Sequence, residues 1–125
     1  VGVAGRVDDV GPYLASAQVA VVPLHSGSGT RLKILDAFAA GVPVVSTTVG
    51  AEGINGIDGE HLLIADSAAG FAAAVLKLLR EPALRTALTT NARELVERQY
   101  TWNAAGSALL HAHDLARKRF ASRTQ

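Results

Sequence analysis

The stretch of sequence that decides the fold covers residues 23–45 and reads PLHSGSGTRLKILDAFAAGVPVV. It opens at the end of a near-continuous apolar run, residues 19–24, which is typical of a strand buried on both faces of a parallel sheet. After a Gly/Ser loop, a helix is predicted over about residues 31–40, ended by Gly41 as its C′ residue. Residues 42–45 begin a further strand. The stretch therefore predicts a strand, a loop, a helix and a strand in succession.

The rest of the first half continues this alternation. Residues 1–4 and 62–65 predict two more short strands, and Asp8 with Asp9 can cap a short helix over about residues 10–17. Strands that alternate with helices through short turns are typical of an α/β fold with right-handed parallel crossovers. The sequence therefore predicts a parallel sheet of about four strands flanked by helices.

The second half carries no strand signal, and three helices are predicted there. Ser67 can cap the first, Pro82 suits the first position of the second, and Thr101 can cap the third. We therefore expect one domain with two parts, an α/β part over residues 1–66 and a helical C-terminal part over residues 67–125.

Composition excludes several classes of protein. The 125 residues contain 12 Lys+Arg, 11 Asp+Glu and no cysteine. A net charge of +1 argues against a generic nucleic-acid binder, and the lack of cysteine excludes a disulfide scaffold and a Cys-ligated zinc site. No apolar run approaches the ~18 residues of a membrane span. We expect a cytoplasmic protein, because a cysteine-free chain is compatible with a reducing compartment.

The loop after the first buried strand is the best candidate for chemistry, because open α/β sheets bind ligands at the carboxyl ends of their strands. Gly27 and Gly29 would let the backbone approach a ligand closely, and the N-terminus of the following helix favours an anion such as phosphate. Arg31 and Lys33 add positive charge. Asp36 lies near Lys33 on one helix face and could accept hydrogen bonds from sugar hydroxyls.

Two common phosphate-binding patterns do not fit this loop. A dinucleotide fingerprint would need glycine where the chain has Leu32, and the Gly-Lys-Ser/Thr of a P-loop is absent. The alternative is a strand-to-helix loop that binds no ligand, with a surface pair between Asp36 and Lys33. Local sequence alone leaves both interpretations open.

A set of motifs in fixed order extends over nearly the whole chain. The central motif is GSGTRLKILDAFAAGVPVV at residues 27–45. It is flanked by GRVDD at 5–9, Thr47, GAEGI at 50–54, GEHLL at 59–63 and Ala65-Asp66. Together they resemble the group 1 glycosyltransferases. The resemblance implies a retaining enzyme of GT-B architecture, with two Rossmann-like domains, that moves a sugar from a nucleoside diphosphate sugar to an acceptor.

The resemblance also implies roles for individual residues. In the family the donor binds at a Glu-x7-Glu pattern, and Asp36 stands where the second acid binds the donor ribose. The first acid, which faces the transferred sugar, falls on Ser28, the candidate catalytic position; serine can hydrogen-bond a hydroxyl but cannot supply a carboxylate. Glu52 follows a strand end in a Gly-rich loop, where it either contacts the donor or stabilises the turn. The predicted donor-binding residues are Gly27, Gly29, Thr30, Arg31, Lys33, Asp36 and Glu52.

Further expectations concern partners. The resemblance implies that two strands of this domain and an N-terminal acceptor domain precede Val1, so the chain alone should be inactive as a transferase. Exposed strand edges would then favour re-pairing or a dimer. We expect no metal and no cofactor. Because Ser28 replaces an acid, a non-catalytic α/β module that binds a nucleotide or another phospho-ligand is the alternative function.

The C-terminal end of the chain is basic, with Arg117, Lys118, Arg119 and Arg123. These side chains could meet anionic lipid headgroups at the inner face of a membrane. They also complement the dipole of a helix C-terminus, and we favour this simpler interpretation.

Overall fold

A computed structural model describes residues 1–29 and 31–123 of the chain, with side chains described as far as residue 120. Thr30 and the side chain of Arg123 therefore lie outside the described residues. The elements confirm the predicted α/β class with a helical C-terminal third. In chain order they are α1 (Gly11–Ser16), β1 (Ala20–Val22), α2 (Leu32–Ala39), β2 (Val44–Ser46), β3 (Leu63–Ile64), α3 (Ala68–Arg80), α4 (Pro82–Gln99) and α5 (Trp102–Arg123).

The three strands form one parallel sheet in the order β1-β2-β3. Val21 lies opposite Val45, and Val45 lies opposite Leu63, so these three side chains share one face of the sheet. The central strand β2 is buried along its whole length. This agrees with the apolar runs from which buried parallel strands were predicted.

The fourth predicted strand, at residues 1–4, is absent from the described part of the chain. The segment has no strand conformation, and Val1 and Val3 are fully exposed. The described strand pairs join only β1, β2 and β3, so this segment has no partner with which to form a ladder. A strand whose backbone groups find no neighbour gains nothing over solvated coil, and here tertiary context overrides local strand propensity.

The two faces of the sheet carry separate apolar clusters. Val44 points to the side of α2 and α4, where Ile34 and Phe38 are fully buried. Val45 points to the side of α3, where it packs with Leu78 and with Leu88 of α4. Helix α4 therefore contacts both α2 and α3 and contributes side chains to both clusters.

Most predicted helix boundaries are confirmed. The Ser67 hydroxyl accepts the N–H of Gly70 at 3.0 Å, and the Thr101 hydroxyl accepts that of Ala104 at 3.2 Å. Gly41, with φ +72°, follows the end of α2 in the left-handed conformation that glycine adopts without strain. The predicted cap of α1 by Asp8 or Asp9 is not formed, because the N-cap residue is Val10; Asp9, one residue earlier, accepts the N–H of Gly11 at 2.8 Å, and α1 is shorter than expected.

Helix α5 lies on the surface and contacts mainly α4. Four of its large apolar side chains are exposed, with Trp102, Leu109, Leu110 and Phe120 all more than two-thirds accessible. Among the described residues, none of the helices combines the length and the apolar character that crossing a bilayer requires.

Candidate functional site

The predicted donor loop lies at the carboxyl end of β1, between residues 23 and 31. Gly27 has φ +137° and Gly29 has φ +97°, conformations that residues with a side chain rarely adopt. A Cβ at Gly29 would meet nothing within 4 Å, so the backbone there is open to a ligand. The loop leads directly into α2, whose N-cap residue, Arg31, makes no side-chain cap among the described residues. The N–H of Ile34 is bonded to the carbonyl of Arg31, which leaves those of Leu32 and Lys33, in the described part of the chain, available to an anion.

Lys33 and Asp36 lie on the exposed side of α2. The opposite side of the helix carries Ile34, Ala37 and Phe38, which are fully buried. The amphipathic pattern of α2 thus fixes which residues face solvent beside the loop. Lys33 is in the first turn of α2, so its ammonium group is the nearest exposed cation on this helix to the uncapped N–H groups.

Arg31, predicted as a phosphate contact, is buried, with 7% of its surface exposed. Its Nη2 donates hydrogen bonds to the carbonyl oxygens of Gly27 at 3.1 Å and of Val49 at 3.0 Å. Nη1 donates a longer bond of 3.4 Å to the carbonyl of Ser28. The Nε atom is buried and has no hydrogen-bond partner in the described part of the chain. The guanidinium group thus points into the protein and joins two loops.

Ser28 and Glu52 are both exposed at the rim of this arrangement. The carbonyl oxygen of Ser28 accepts a hydrogen bond from Arg31. The Oε2 of Glu52 is 4.0 Å from the Nη2 of Arg31, which brings Glu52 to the loop as predicted from its position after a strand end. Its side chain is 74% exposed, so this ion pair adds little stability.

The loop after β2 contains a tight turn whose role the sequence did not predict. The Thr47 hydroxyl donates to the carbonyl of Leu24 and accepts the N–H of Gly50 at 2.9 Å. A Cβ at Gly50 would lie 2.7 Å from the carbonyl oxygen of Val22 and would also contact Ser46. The Thr-x-x-Gly spacing directly after a strand is the signal that could have indicated this turn.

A cavity of about 350 Å³ opens at the carboxyl ends of all three strands, on the α3 side of the sheet. It was not predicted from the sequence. The cavity is lined by Pro23, His25, Thr47, Asp66, Ser67, Ala68, Phe71 and Ala72.

At the rim of the cavity, Asp66 accepts hydrogen bonds from Thr48. These bonds, first from the hydroxyl and then from the backbone N–H, lower the pKa of Asp66 below its ordinary value, and the charge of His25 lowers it further. Among residues 1–29 and 31–123, no group of three or more His, Cys, Asp or Glu side chains could hold a metal ion.

Comparisons with known proteins agree with this architecture. The family described as "Glycosyl transferases group 1" matches residues 1–81. A phosphatidyl-myo-inositol mannosyltransferase from Mycobacterium leprae is 34% identical over 114 residues, which is 88% of this chain and 30% of the relative. The lipopolysaccharide core biosynthesis glycosyltransferase LpsE from Rhizobium meliloti is 37% identical, over 87% of this chain and 34% of that protein. This chain spans about a third of the length of these relatives.

The fold is also found among solved structures. The C-terminal domain of a group 1 family glycosyl transferase, LpcC from Francisella tularensis, superimposes with a TM-score of 0.72 at 22% identity. The match covers 82% of this chain and 53% of that one. With the family match over residues 1–81, the parallel sheet and the helices on both of its faces, the chain belongs to the group 1 glycosyl transferases.

Proposed function

We propose that this chain is the donor-binding part of a retaining glycosyltransferase that transfers a sugar from a nucleoside diphosphate sugar. The observation that carries the proposal is the N-terminus of α2, which the described residues leave without a side-chain cap and which directly follows a loop with two positive-φ glycines at the carboxyl end of a parallel strand. Such a helix end presents N–H groups and the positive end of a dipole, and a dianionic diphosphate is the ligand that best complements both.

In this proposal the diphosphate lies against the backbone of Gly27 and Gly29 and against the first turn of α2. Lys33 is exposed beside that turn and supplies a mobile positive charge. Asp36 lies one turn along the same exposed side and accepts hydrogen bonds from the ribose hydroxyls. Thr30 belongs to the same loop but lies outside the described residues.

The chemical contribution of this chain is then electrostatic. When the bond between the sugar and the diphosphate breaks, negative charge develops on the leaving phosphate. Fixed N–H groups and a nearby ammonium group stabilise this charge without having to reorganise. Ser28 and Glu52 lie at the rim of the loop, where they contact the transferred sugar. The acceptor binds the part of the polypeptide that this chain does not include, so the 125 residues alone have no transferase activity.

Calorimetric titration of the chain with UDP, GDP and ADP tests the donor site. We expect one of the three to bind, and Asp36→Ala to weaken that binding by about tenfold, the effect of losing a hydrogen bond to a charged group. Asp114→Ala is the matched control, because Asp114 is also an exposed acid on a helix, in α5. Failure of all three nucleotides to bind, or equal effects of the two variants, would contradict the proposal.

The second candidate function is a non-catalytic module that binds a nucleotide without transferring a sugar. The exposed serine at position 28, in place of a carboxylate, favours it. The two functions differ in the full-length protein: if the natural protein transfers no sugar although it binds the nucleotide, and Ser28→Glu restores transfer, the module is the correct assignment. Sugar transfer by the natural protein excludes it.

A further inference from the structure

Arg31 is the one buried arginine among the described residues, and its environment differs from that of an anion-binding side chain. A buried cation must be compensated, because removal of a charge from water is costly. Here the compensation comes mainly from three backbone carbonyls, with the exposed carboxylate of Glu52 at 4.0 Å from Nη2. Two of these carbonyls, those of Gly27 and Ser28, belong to the predicted donor loop. The third, that of Val49, belongs to the loop after β2.

Nη2 of Arg31 therefore uses both of its N–H groups, and Nη1 uses one of its two. An arginine that binds a diphosphate does so by presenting two N–H groups of its fork to the oxygen atoms. In this chain Nη2 alone donates to two carbonyls, at 3.0 and 3.1 Å, and Nη1 donates to a third. A bidentate phosphate contact would require the arginine to release the two loops that it joins.

We propose that Arg31 is a positioning residue for the donor site. Its guanidinium group holds the loop at Gly27 and Ser28 against the loop at Val49, and so sets the backbone conformation that the diphosphate meets. The effect of Arg31 on donor binding rests on the proposed function, because the donor is the ligand that this loop would bind. The tie between the two loops is a property of the chain by itself.

The bond from Arg31 to Val49 stabilises a turn in the loop after β2. The N–H of Gly50 is bonded to the Thr47 hydroxyl, and that of Ala51 to the Thr47 carbonyl at 3.0 Å. The N–H of Glu52 is bonded to the carbonyl of Val49 at 3.3 Å. Release of Val49 by Arg31 would loosen this turn, and the exchange of these three amide hydrogens with solvent would become faster.

Arg85 provides a matched control. Its Nη1 donates to the carbonyls of Leu78 and Leu79, both at 3.0 Å, and so holds the C-terminal end of α3. Arg85 is thus a second arginine whose side chain binds backbone carbonyls, but it is remote from the donor loop. Arg85→Gln therefore measures the general effect of losing such a side chain on hydrogen exchange and on nucleotide affinity.

Hydrogen exchange is the first measurement. In Arg31→Gln and in Arg31→Lys we expect the amides of residues 50–52 to exchange at least about tenfold faster, since loss of a bond from a charged donor is of that size. Lysine is a point charge and does not reproduce the planar fork. In Arg85→Gln these amides should be unchanged. Unchanged exchange at residues 50–52 in both Arg31 variants would contradict the proposal that Arg31 holds the two loops together.

Nucleotide affinity is the second measurement, made on the same variants. A positioning role predicts that Arg31→Gln and Arg31→Lys weaken a nucleoside diphosphate alike, by about tenfold, because neither side chain reproduces the planar fork, while Arg85→Gln leaves its affinity unchanged. If Arg31→Lys keeps the natural affinity and Arg31→Gln weakens it, the positive charge alone is what matters, Arg31 is a direct phosphate contact and the proposal is wrong. If the natural chain binds no nucleotide, the proposed function fails, and hydrogen exchange still decides whether Arg31 ties the loops.

Discussion

Asp66 and Thr48 are joined by two hydrogen bonds of 2.7 Å each, one from the backbone N–H of Thr48 and one from its hydroxyl. The pair connects the segment after β3 to the segment after β2. Both bonds are made to the ionised carboxylate, which is why the pKa of Asp66 lies below the ordinary value of 3.8.

This relationship predicts how stability depends on pH. Because the pKa of Asp66 is lower in the folded state than in the unfolded state, its contribution is complete above pH 3.8 and is lost as the pH falls through the folded-state pKa. Asp66→Asn removes the titrating group. Thermal unfolding followed between pH 7 and pH 2 should show a smaller loss of Tm at the acid end in Asp66→Asn than in the natural chain. Parallel curves would contradict the prediction.

The close packing around Gly50, in the loop after β2, leaves no room for a side chain at this position. A Cβ there would lie 2.7 Å from the backbone oxygen of Val22, which the sheet holds in place. We expect Gly50→Ala to lower the free energy of unfolding by about 1–3 kcal/mol, the usual cost of overpacking. Gly106 in α5 is the matched control, because a Cβ there meets nothing within 4 Å.

Gly106→Ala should raise the free energy of unfolding by about 0.5–1 kcal/mol, since alanine is the better helix former. Urea unfolding measures both changes. Equal effects of the two substitutions would show that the close contact with Val22 does not make alanine unfavourable at position 50.

The packing of α2 predicts a contrast between two of its residues. Phe38 is fully buried, whereas Leu32 is 61% exposed. Phe38→Ala should cost about 3–5 kcal/mol, from lost burial and the cavity that remains. Leu32→Ala should change stability by less than about 0.5 kcal/mol. A comparable loss for both residues in chemical denaturation would mean that α2 does not pack on the sheet through the Phe38 side.

Sequence patterns predicted those parts of the fold that depend on local chemistry. The helix α2, its end at Gly41 and the cap at Ser67 follow from apolar spacing, glycine conformation and hydroxyl capping. The strand predicted at residues 1–4 is the exception, because a strand depends on a neighbour that no local pattern guarantees. The four-strand prediction was therefore one strand too many.

The candidate site was predictable in outline but not in its internal contacts. The loop glycines lead into α2, Lys33 and Asp36 lie on its exposed side, and Glu52 lies 4.0 Å from Arg31, whereas their roles in donor binding stay a prediction. The inward position of Arg31 depends on Val49, 18 residues further along the chain, and the cavity beside Asp66 depends on three strand ends meeting. Contacts of this kind arise from tertiary structure and carry no local sequence signal.

The exposed face of α5 predicts an effect on solubility and not on folding. Leu109 and Leu110 are about 70% exposed on a helix that touches mainly α4. Leu109→Gln with Leu110→Gln should leave the free energy of unfolding within about 0.5 kcal/mol of the natural chain and reduce self-association. Sedimentation analysis measures the association, and a chain that unfolds on this double substitution would contradict the surface position of α5.

The most direct test of the donor site is a map of backbone amide shifts in the ¹⁵N-labelled chain as UDP, GDP or ADP is added. A donor site at the α2 N-terminus predicts the largest shifts at Gly27, Gly29, Leu32 and Lys33, because their N–H groups lie nearest the diphosphate. Shifts confined to the amides around the cavity, such as Ala68 and Phe71, would place the nucleotide on the other side of the sheet and contradict the proposed donor site.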